Sequence, residues 1–548
     1  MENKHYIALE LDKVLELLAA KTTCEASALR ARELIPYSDW RDVSRAVRQT
    51  AQINTLSIRF GTPGLGGIRD CTAPLHRAAV GGRLSIPELL SVCRVLRTIR
   101  AVRDWRRQAE DPTDADGLFD TLTPNRALEE EIDRCILNDE ELQDTASPEL
   151  ASIRRKIRKA QLSIREKLER IIKSPQYAQV LQEAIITIRD GRSVVPVKVE
   201  RKGELPGLVH DTSSSKATVF VEPMAVVEAN NEIRLLQGEE QEEVDRILLE
   251  LSGRVGEMAS LIQESFSALV ELDLLFAKSR LADAMRASVP EIRQDRILRL
   301  NRARHPLIPK EKVVPVDIAL GDSFDTLVIT GPNTGGKTVA LKTLGLLTLM
   351  AACGMLLPCG DGSCVPVFDR VLADIGDEQS IEQSLSTFSA HITNIISILE
   401  WAGPRSLVLT DELGAGTDPV EGAALAVSIL EALRQKGALI AATTHYAEIK
   451  MYALTTPGVK NGSCEFNVET LSPTYRLLIG VPGRSNAFAI SQRLGLPEGV
   501  IGRAKELVST ENTRFEDVVS DLERTRQELE KEQQAAASRR QQMDALKK

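Results

Sequence analysis

From Pro148 onward, Ile153, Ile157, Ile164, Leu168 and Ile171 recur at helical spacing. This rhythm predicts one amphipathic helix, ended by Pro175. Its other faces are basic, with Arg154, Arg155, Lys156, Arg158, Lys159, Arg165, Lys167 and Arg170. The period then changes. "AIITIRDGRSVVPVKVE" and "GLVHDTSSSKATVFVEP" are rich in Val, Ile and Thr, with Asp190-Gly191 at a turn, so residues 184–223 read as a small β-module. Helical spacing returns at once. Val244, Leu248, Leu251, Val255, Met258, Ile262, Leu269, Leu272 and Phe276 keep a heptad rhythm, with Ser265 the one break. A single helix of roughly 50 residues would span about 75 Å. Two long helices flanking a β-module read as an antiparallel arm carrying a small tip.

Residues 1–147 read as mostly helical. After Pro290 the pattern alternates strand, loop and helix through about residue 510, the mark of an α/β domain. The tail 511–548 is charged and helix-prone. The fold class expected is multidomain, α plus α/β.

Composition narrows the picture. The chain has 548 residues, too many for one ordinary domain, and only 4% aromatics, so its cores should be aliphatic. The net charge of −9 argues against a small, uniformly basic nucleic-acid binder but leaves room for local basic stripes. No apolar run reaches the roughly 18 to 20 residues of a membrane span, and the N-terminus lacks the order of a signal peptide. The eight cysteines form no CxxC pair; Cys353, Cys359 and Cys364 cluster without a histidine at ligand spacing. Free thiols in a cytoplasmic protein are expected, with no membrane partner.

The chemistry concentrates in the α/β region. Gly331, Pro332, Asn333, Thr334, Gly335, Gly336, Lys337 and Thr338 fit G-x-x-x-x-G-K-[ST], between strand-like "TLVIT" and helix-like "VALKTLGLLTLM". In such a loop the backbone N–H groups turn toward phosphates, Lys337 reaches the β- and γ-phosphates, and the Thr338 hydroxyl ligates Mg²⁺. The following helix adds its positive N-terminal dipole. "SLVLTDELGAGTDP", residues 406–419, supplies an acidic pair at a strand end. Asp411 would hold Mg²⁺ through water, and Glu412 would polarise the attacking water of an ATP hydrolysis. "AATTHYAEIK" places His445 after another apolar strand, where it would sense the γ-phosphate. A lone histidine is usually structural, but the order loop, acid, histidine favours function. In "DIGDEQSIEQSLSTFSAHI", residues 374–392, Ser386 would donate to a phosphate across a dimer interface, or serve only as a helix N-cap.

The motifs "ITGPNTGGKT", "STF", "TDELGAGTD" and "TTHY", in this order, resemble the MutS family of ABC-type ATPases. "GRSVVPVKVE", "GLVHDTSSSKATVFVEP", "VVEANNEI" and "SCEFNVETLSPTYRLLIGVPGRSNAFAIS" are similar to its second bacterial branch, MutS-two. The resemblance covers nearly the whole chain. It implies a helical core (1–147), an ascending lever helix (148–183), a β-rich clamp (184–223) and a returning lever helix (224–290). An ABC-type P-loop ATPase domain (291–510) and a helical linker (511–548) would follow. It also implies a homodimer in which Ser386 completes the partner's site in trans and Asn333 assists at the γ-phosphate. "SAHI" after Phe388 departs from mismatch-repair members, and Val313 stands near the adenine-stacking position, with no aromatic. The mismatch-reading and connector domains are not apparent, so mismatch recognition is not expected. The family usually continues into KOW and Smr modules; this chain ends at Lys548, and nuclease activity is not expected of it.

The resemblance admits two substrates. One is branched or junction DNA, such as recombination intermediates, whose clamping would suppress homologous recombination. The alternative is the stalled 70S ribosome and its rRNA, split by ATP hydrolysis. The cofactors are ATP and Mg²⁺ in both. Lys198, Arg201, Lys202 and Lys216 are candidate nucleic-acid contacts at the tip, where Phe220 is the only aromatic platform, so sequence-specific readout is not expected. The arginines and lysines of the helix after Pro148 would contact phosphates or simply solvate that helix. A chromosome-organising ATPase is disfavoured because its coil follows the phosphate loop, and a transporter subunit because no LSGGQ-like stretch occurs.

Overall fold

A computed structural model describes residues 2–331, 335–376, 387–467, 472–483, 488, 491–492 and 494–507. The chain forms two compact units. One comprises residues 63–107 and 118–269; the other comprises 1–62, 108–117 and the chain from 270 onward.

In the first unit, helix α1 (Pro148–Lys173) begins where the Ser147 side chain accepts from the Leu150 N–H, with proline in the first turn. Its buried stripe is Leu150, Ile153, Ile157, Ala160, Ile164 and Leu168, as the spacing predicts. Helix α2 (Met224–Glu257) runs antiparallel to it. The Ser147 hydroxyl donates to Glu243 (2.6 Å), Arg154 Nε to Glu240 (2.7 Å) and Lys167 Nζ to the Ala225 carbonyl (3.1 Å). Between the helices lie strands β1 (Thr187–Arg189), β2 (Arg192–Lys198), β3 (Gly207–Thr212) and β4 (Thr218–Pro223), ordered β1-β2-β4-β3 and all antiparallel. Asp190 (φ 48°) and Gly191 (φ 74°) make the β1–β2 turn, a left-handed pair whose twist suits a two-residue hairpin. Val195, Val197, Val219 and Val221 pack on Ile164, Leu168 and Ile233.

The returning helix differs from the expectation of one continuous rod. It consists of α2, 34 residues long, and a second helix, Ala259–Met285, of 27 residues. At the joint Met258 turns aside (φ −106°, ψ 5°), its N–H bonding the Val255 carbonyl three residues back. Two residues earlier, a Cβ on Gly256 would stand 2.4 Å from the Ala78 carbonyl oxygen, so the backbones meet where no side chain fits. Ser265, the polar break in the heptads, is fully buried, donating to the Thr121 carbonyl (3.2 Å) and accepting from the Thr123 N–H (3.0 Å). Another buried polar group, Glu222, accepts from Arg192 (2.8 and 2.9 Å) and Asn230 (2.7 Å) and meets His210 Nε2 at 2.5 Å.

The second unit contains β5 (Glu291–Arg293), β6 (Leu298–Ala303), β7 (Val316–Leu320), β8 (Thr326–Thr330), β9 (Cys364–Pro366), β10 (Arg370–Asp374), β11 (Ser406–Thr410), β12 (Leu439–Thr443), β13 (Val459–Asn467) and β14 (Ser472–Ile479). Its main sheet is ordered β10-β11-β12-β8-β13-β14, parallel except for the last pair; β5-β9-β6-β7 form a second sheet. Strands β8, β11 and β12 are buried throughout, as parallel strands covered on both faces must be. Alternate residues serve two cores. Leu327, Ile329, Leu407 and Leu409 face one, with helix α3 (Lys337–Ala352). Val328, Val408, Ile440 and Ala442 face the other, with α4 (Thr387–Trp401), α5 (Pro419–Gln435) and α6 (Ala447–Thr455).

Leu9, Leu11, Val14, Leu15 and Leu18 belong to the α3 core, and His5 Nδ1 lies 2.9 Å from the Ala373 carbonyl oxygen. The C-terminal end of α3 is tied down three ways. The Tyr37 N–H donates to the Ala352 carbonyl (2.9 Å), the buried Lys278 ammonium to Cys353 O (2.8 Å), and Thr50 to Gly354 O (2.6 Å). Among the described residues no helix is long and apolar enough to cross a membrane.

Candidate functional site

The main sheet gathers the sequence-predicted residues at the C-terminal ends of its strands. Strand β8 ends at Thr330 and the chain turns through Gly331 (φ 127°) into the glycine loop. Gly335 and Gly336 close the loop; Pro332, Asn333 and Thr334 lie outside the described residues, as does Ser386. Gly336 caps α3 at φ 89°, and a Cβ there would meet the Tyr475 ring at 2.7 Å. Both facts require glycine at this position. Lys337, the first residue of α3, is 2% exposed. Its ammonium donates to the Gly331 carbonyl at 2.9 Å. Burial lowers its pKa, against the opposing pull of Glu412 and Asp411.

Two strands away, β11 leads directly into Asp411 and Glu412. The Thr338 hydroxyl donates to Asp411 Oδ2 at 2.7 Å, across 73 residues of sequence. The strand order makes this possible, since only β12 stands between β8 and β11. Thr443, at the end of β12, donates to the other Asp411 oxygen and accepts the Glu412 N–H (2.8 Å). Glu412 itself has φ 48°, a left-handed conformation rare for a side-chain-bearing residue. Such strain persists only when surrounding contacts impose it. Among the described residues its carboxylate has no hydrogen-bond partner.

His445 stands exposed just past β12, its ring 4.4 Å from that of Tyr446. Partial loss of solvent lowers its pKa; Glu412 raises it, and Lys337 and Lys450 lower it further. So the structure brings Lys337, Thr338, Asp411, Glu412 and His445 to the C-terminal ends of the neighbouring strands β8, β12 and β11. Sequence reasoning missed Thr443 and Lys450, whose ammonium donates to the Gly483 carbonyl at 2.9 Å. Thr443 was legible in principle as the polar residue closing β12 beside the acidic strand.

This loop and acid pair fall within a recognised domain: residues 327–511 match MutS domain V, an ATPase domain. Beyond it, the chain is 50% identical over 533 residues to the Endonuclease MutS2 of Ruminiclostridium cellulolyticum, covering 97% of this chain and 67% of that protein. The chain belongs to the MutS2 family. The family member of Pelotomaculum thermopropionicum is also 50% identical, over the whole of this chain and 70% of its own length. That of Acetivibrio thermocellus is 48% identical over 97% and 68% respectively.

In the other unit, the four cations expected at the tip converge. Lys198 ends β2, Arg201 and Lys202 follow in a single 3-10 turn, and Lys216 sits in the β3–β4 turn. Lys198 pairs with Thr218 across β2 and β4, which draws the two turns to one end of the sheet. Glu200 and Glu204 lie there too, and Arg201 approaches Glu204 at 3.9 Å. Phe220 carries Arg189 over its ring at 4.3 Å. On α1 the basic residues divide. Arg154 and Arg158 pair with Asp144, and Arg165 and Lys173 with Glu169. Arg155, Lys156, Lys159 and Arg170 are exposed.

Proposed function

We propose that this MutS2-family chain is an Mg²⁺-dependent ATPase acting as a dimeric clamp on branched DNA, such as recombination intermediates, and so suppresses homologous recombination. The observation that carries the ATPase reading is the Thr338–Asp411 hydrogen bond beside the buried Lys337. A hydroxyl, a carboxylate and an ammonium at a helix N-terminus form the donor set that a magnesium triphosphate requires. Lys337 and the glycine loop would hold the phosphates, and Thr338 and Asp411 the metal. Bound Mg²⁺ would neutralise charge on the transferred phosphoryl group. Glu412, whose carboxylate has no hydrogen-bond partner among the described residues, would orient and polarise the attacking water, and His445 would report the γ-phosphate. Ser386 would complete the partner's site, so that ATP joins two subunits and hydrolysis releases them.

For the substrate, α1 and α2 would be the levers and the four-stranded sheet the clamp. The support is the convergence of Lys198, Arg201, Lys202 and Lys216, together with the exposed cations of α1. Contacts of this kind read the phosphate backbone rather than base sequence, which suits a shape-recognising clamp.

The test is the steady-state ATPase rate of the chain alone, with four-way-junction DNA and with collided ribosomes. Lys337→Ala, which should lose nucleotide affinity, and Glu412→Gln, which should trap the ATP-bound state, are the blanks. Stimulation by junction DNA supports the proposal. Stimulation by ribosomes alone would move the clamp's substrate to RNA or ribosomal protein. Normal turnover in Glu412→Gln would remove the role given to that residue.

A further inference from the structure

Beside the acid pair lies a third carboxylate that the hydrolysis scheme leaves unused. Asp374 ends β10, the parallel neighbour of β11, in register with Thr410. It is 5% exposed. Its backbone carbonyl accepts the Asp411 N–H at 2.8 Å. Its side-chain oxygens are both taken by α4. His391 Nδ1 lies 3.0 Å from Oδ2, and Asn394 Nδ2 donates to Oδ1 at 2.8 Å and to the Ala373 carbonyl at 3.2 Å. The two partners stand three residues apart, on one face of the helix. A carboxylate only accepts, so the hydrogen sits on Nδ1 of His391.

This arrangement bears on Glu412. The peptide that leads into it is fixed at Asp411 by the Asp374 carbonyl, and its own N–H is fixed by Thr443. Those two anchors, with the Ala415 N–H bonding the Glu412 carbonyl at 3.0 Å, hold the left-handed φ of 48°. If β10 shifts, one anchor loosens and Glu412 is free to relax to an ordinary conformation. His391 and Glu412 also line the same small pocket, with Asp374, Phe388, Leu413 and Gly414. The His391 side chain is 27% exposed there, more open than an ordinary core contact.

We infer that His391 is a positioning residue for ATP hydrolysis, acting through Asp374 to hold the end of β11 and so the Glu412 backbone. This rests on the ATPase reading above. His391 need not touch the nucleotide. Its Nδ1–H orders the Asp374 carboxylate, Asp374 orders the Asp411 peptide, and the peptide sets the direction of the glutamate. Any movement of α4 on engaging another subunit would reach the acid pair by this route.

The experiment compares ATP hydrolysis by the full chain carrying His391→Ala, His391→Asn or His391→Gln. An asparagine amide reproduces the Nδ1 donor, whereas glutamine places its amide near Nε2. For His391→Ala, kcat should fall by about tenfold while KM stays within about twofold, because orientation is lost and not binding. His391→Asn should recover to within about threefold of the native rate, and His391→Gln should not. If the alanine variant fails to fold, the Asn–Gln comparison still decides. Native kcat in His391→Ala, or equal rates in the Asn and Gln variants, would overturn the inference. Glu412→Gln is measured in parallel. If the native chain hydrolyses no ATP, the ATPase reading fails; if Glu412→Gln hydrolyses ATP normally, the role given to Glu412 fails; if Glu412→Gln is inactive while His391→Ala is normal, only the positioning role falls.

Discussion

Lys278 offers a quantitative test of how the second unit is built. It lies on the helix Ala259–Met285 and is 5% exposed, with its ammonium on the Cys353 carbonyl just past α3. Burial pulls its pKa from the ordinary 10.5 to about 8; Cys353 and Glu271 raise it and Arg30 lowers it. That gap corresponds to roughly 3 kcal/mol of destabilisation at neutral pH. The sign follows from proton counting. Below about pH 8 both folded and unfolded chains carry the proton, and the penalty is fully present. Between about 8 and 10.5 the unfolded chain holds more protons, so raising the pH favours the folded state. Lys278→Met removes the titration and serves as the reference, since every other group cancels. The free energy of urea unfolding, native minus Lys278→Met, should rise by about 2 kcal/mol between about pH 7 and pH 9.5. At neutral pH the two proteins should lie close together, because methionine escapes the desolvation yet leaves the Cys353 carbonyl without its donor, which costs about 1–3 kcal/mol. A difference that stays flat, or falls with pH, would refute the reasoning.

Thr338→Val should keep the fold but abolish the hydroxyl that meets Asp411; magnesium titration of ATPase activity should show a rate lowered by at least about a hundredfold. Gly336→Ala should weaken nucleotide binding, measured by fluorescent-analogue titration. The left-handed conformation alone costs alanine about 1–2 kcal/mol, and the methyl would also collide with Tyr475. Glu222→Ala should lower the unfolding free energy of the β1–β4 unit by about 3–5 kcal/mol, because Arg192 loses its buried counter-charge. Glu222→Gln should cost less, and equal stability of all three proteins would show that the cluster contributes nothing.

The elements were legible wherever a period repeats over several turns. Helix α1 lies where Ile153, Ile157, Ile164 and Leu168 put it, and the β-module turns at Asp190-Gly191 as the dipeptide predicts. The glycine loop announced the start of α3 through its own chemistry. What stayed hidden depends on neighbours remote in sequence. The break at Met258 lies two residues past the close approach of Gly256 to Ala78, a contact that no heptad count contains. Ser265 stood out as an irregularity, but its partners Thr121, at a helix end, and Thr123, just after it, lie over a hundred residues earlier. The same limit applied at the site. Lys337, Thr338, Asp411 and Glu412 were readable as types in order. Thr443, Asp374, His391 and Asn394 owe their places to the strand order β10-β11-β12-β8, which differs from the order in the chain. For the basic helix, sequence gave charge without pairing: Asp144 and Glu169 neutralise part of it.

The seating of the N-terminal helices has a consequence for synthesis. His5 finds the Ala373 carbonyl 368 residues further on, and Leu9 and Leu18 complete a core whose other walls are β8, β11 and α3. At about 5–20 residues per second, a ribosome takes roughly 20–70 s to make the strand that receives the first helix. During that time the apolar stripe from Leu9 to Leu18 has left the exit tunnel with its final partners still unmade. The stripe from Leu9 to Leu18 therefore stays apolar and uncovered through that interval, and the core that receives it closes only once strands far along the chain have been made.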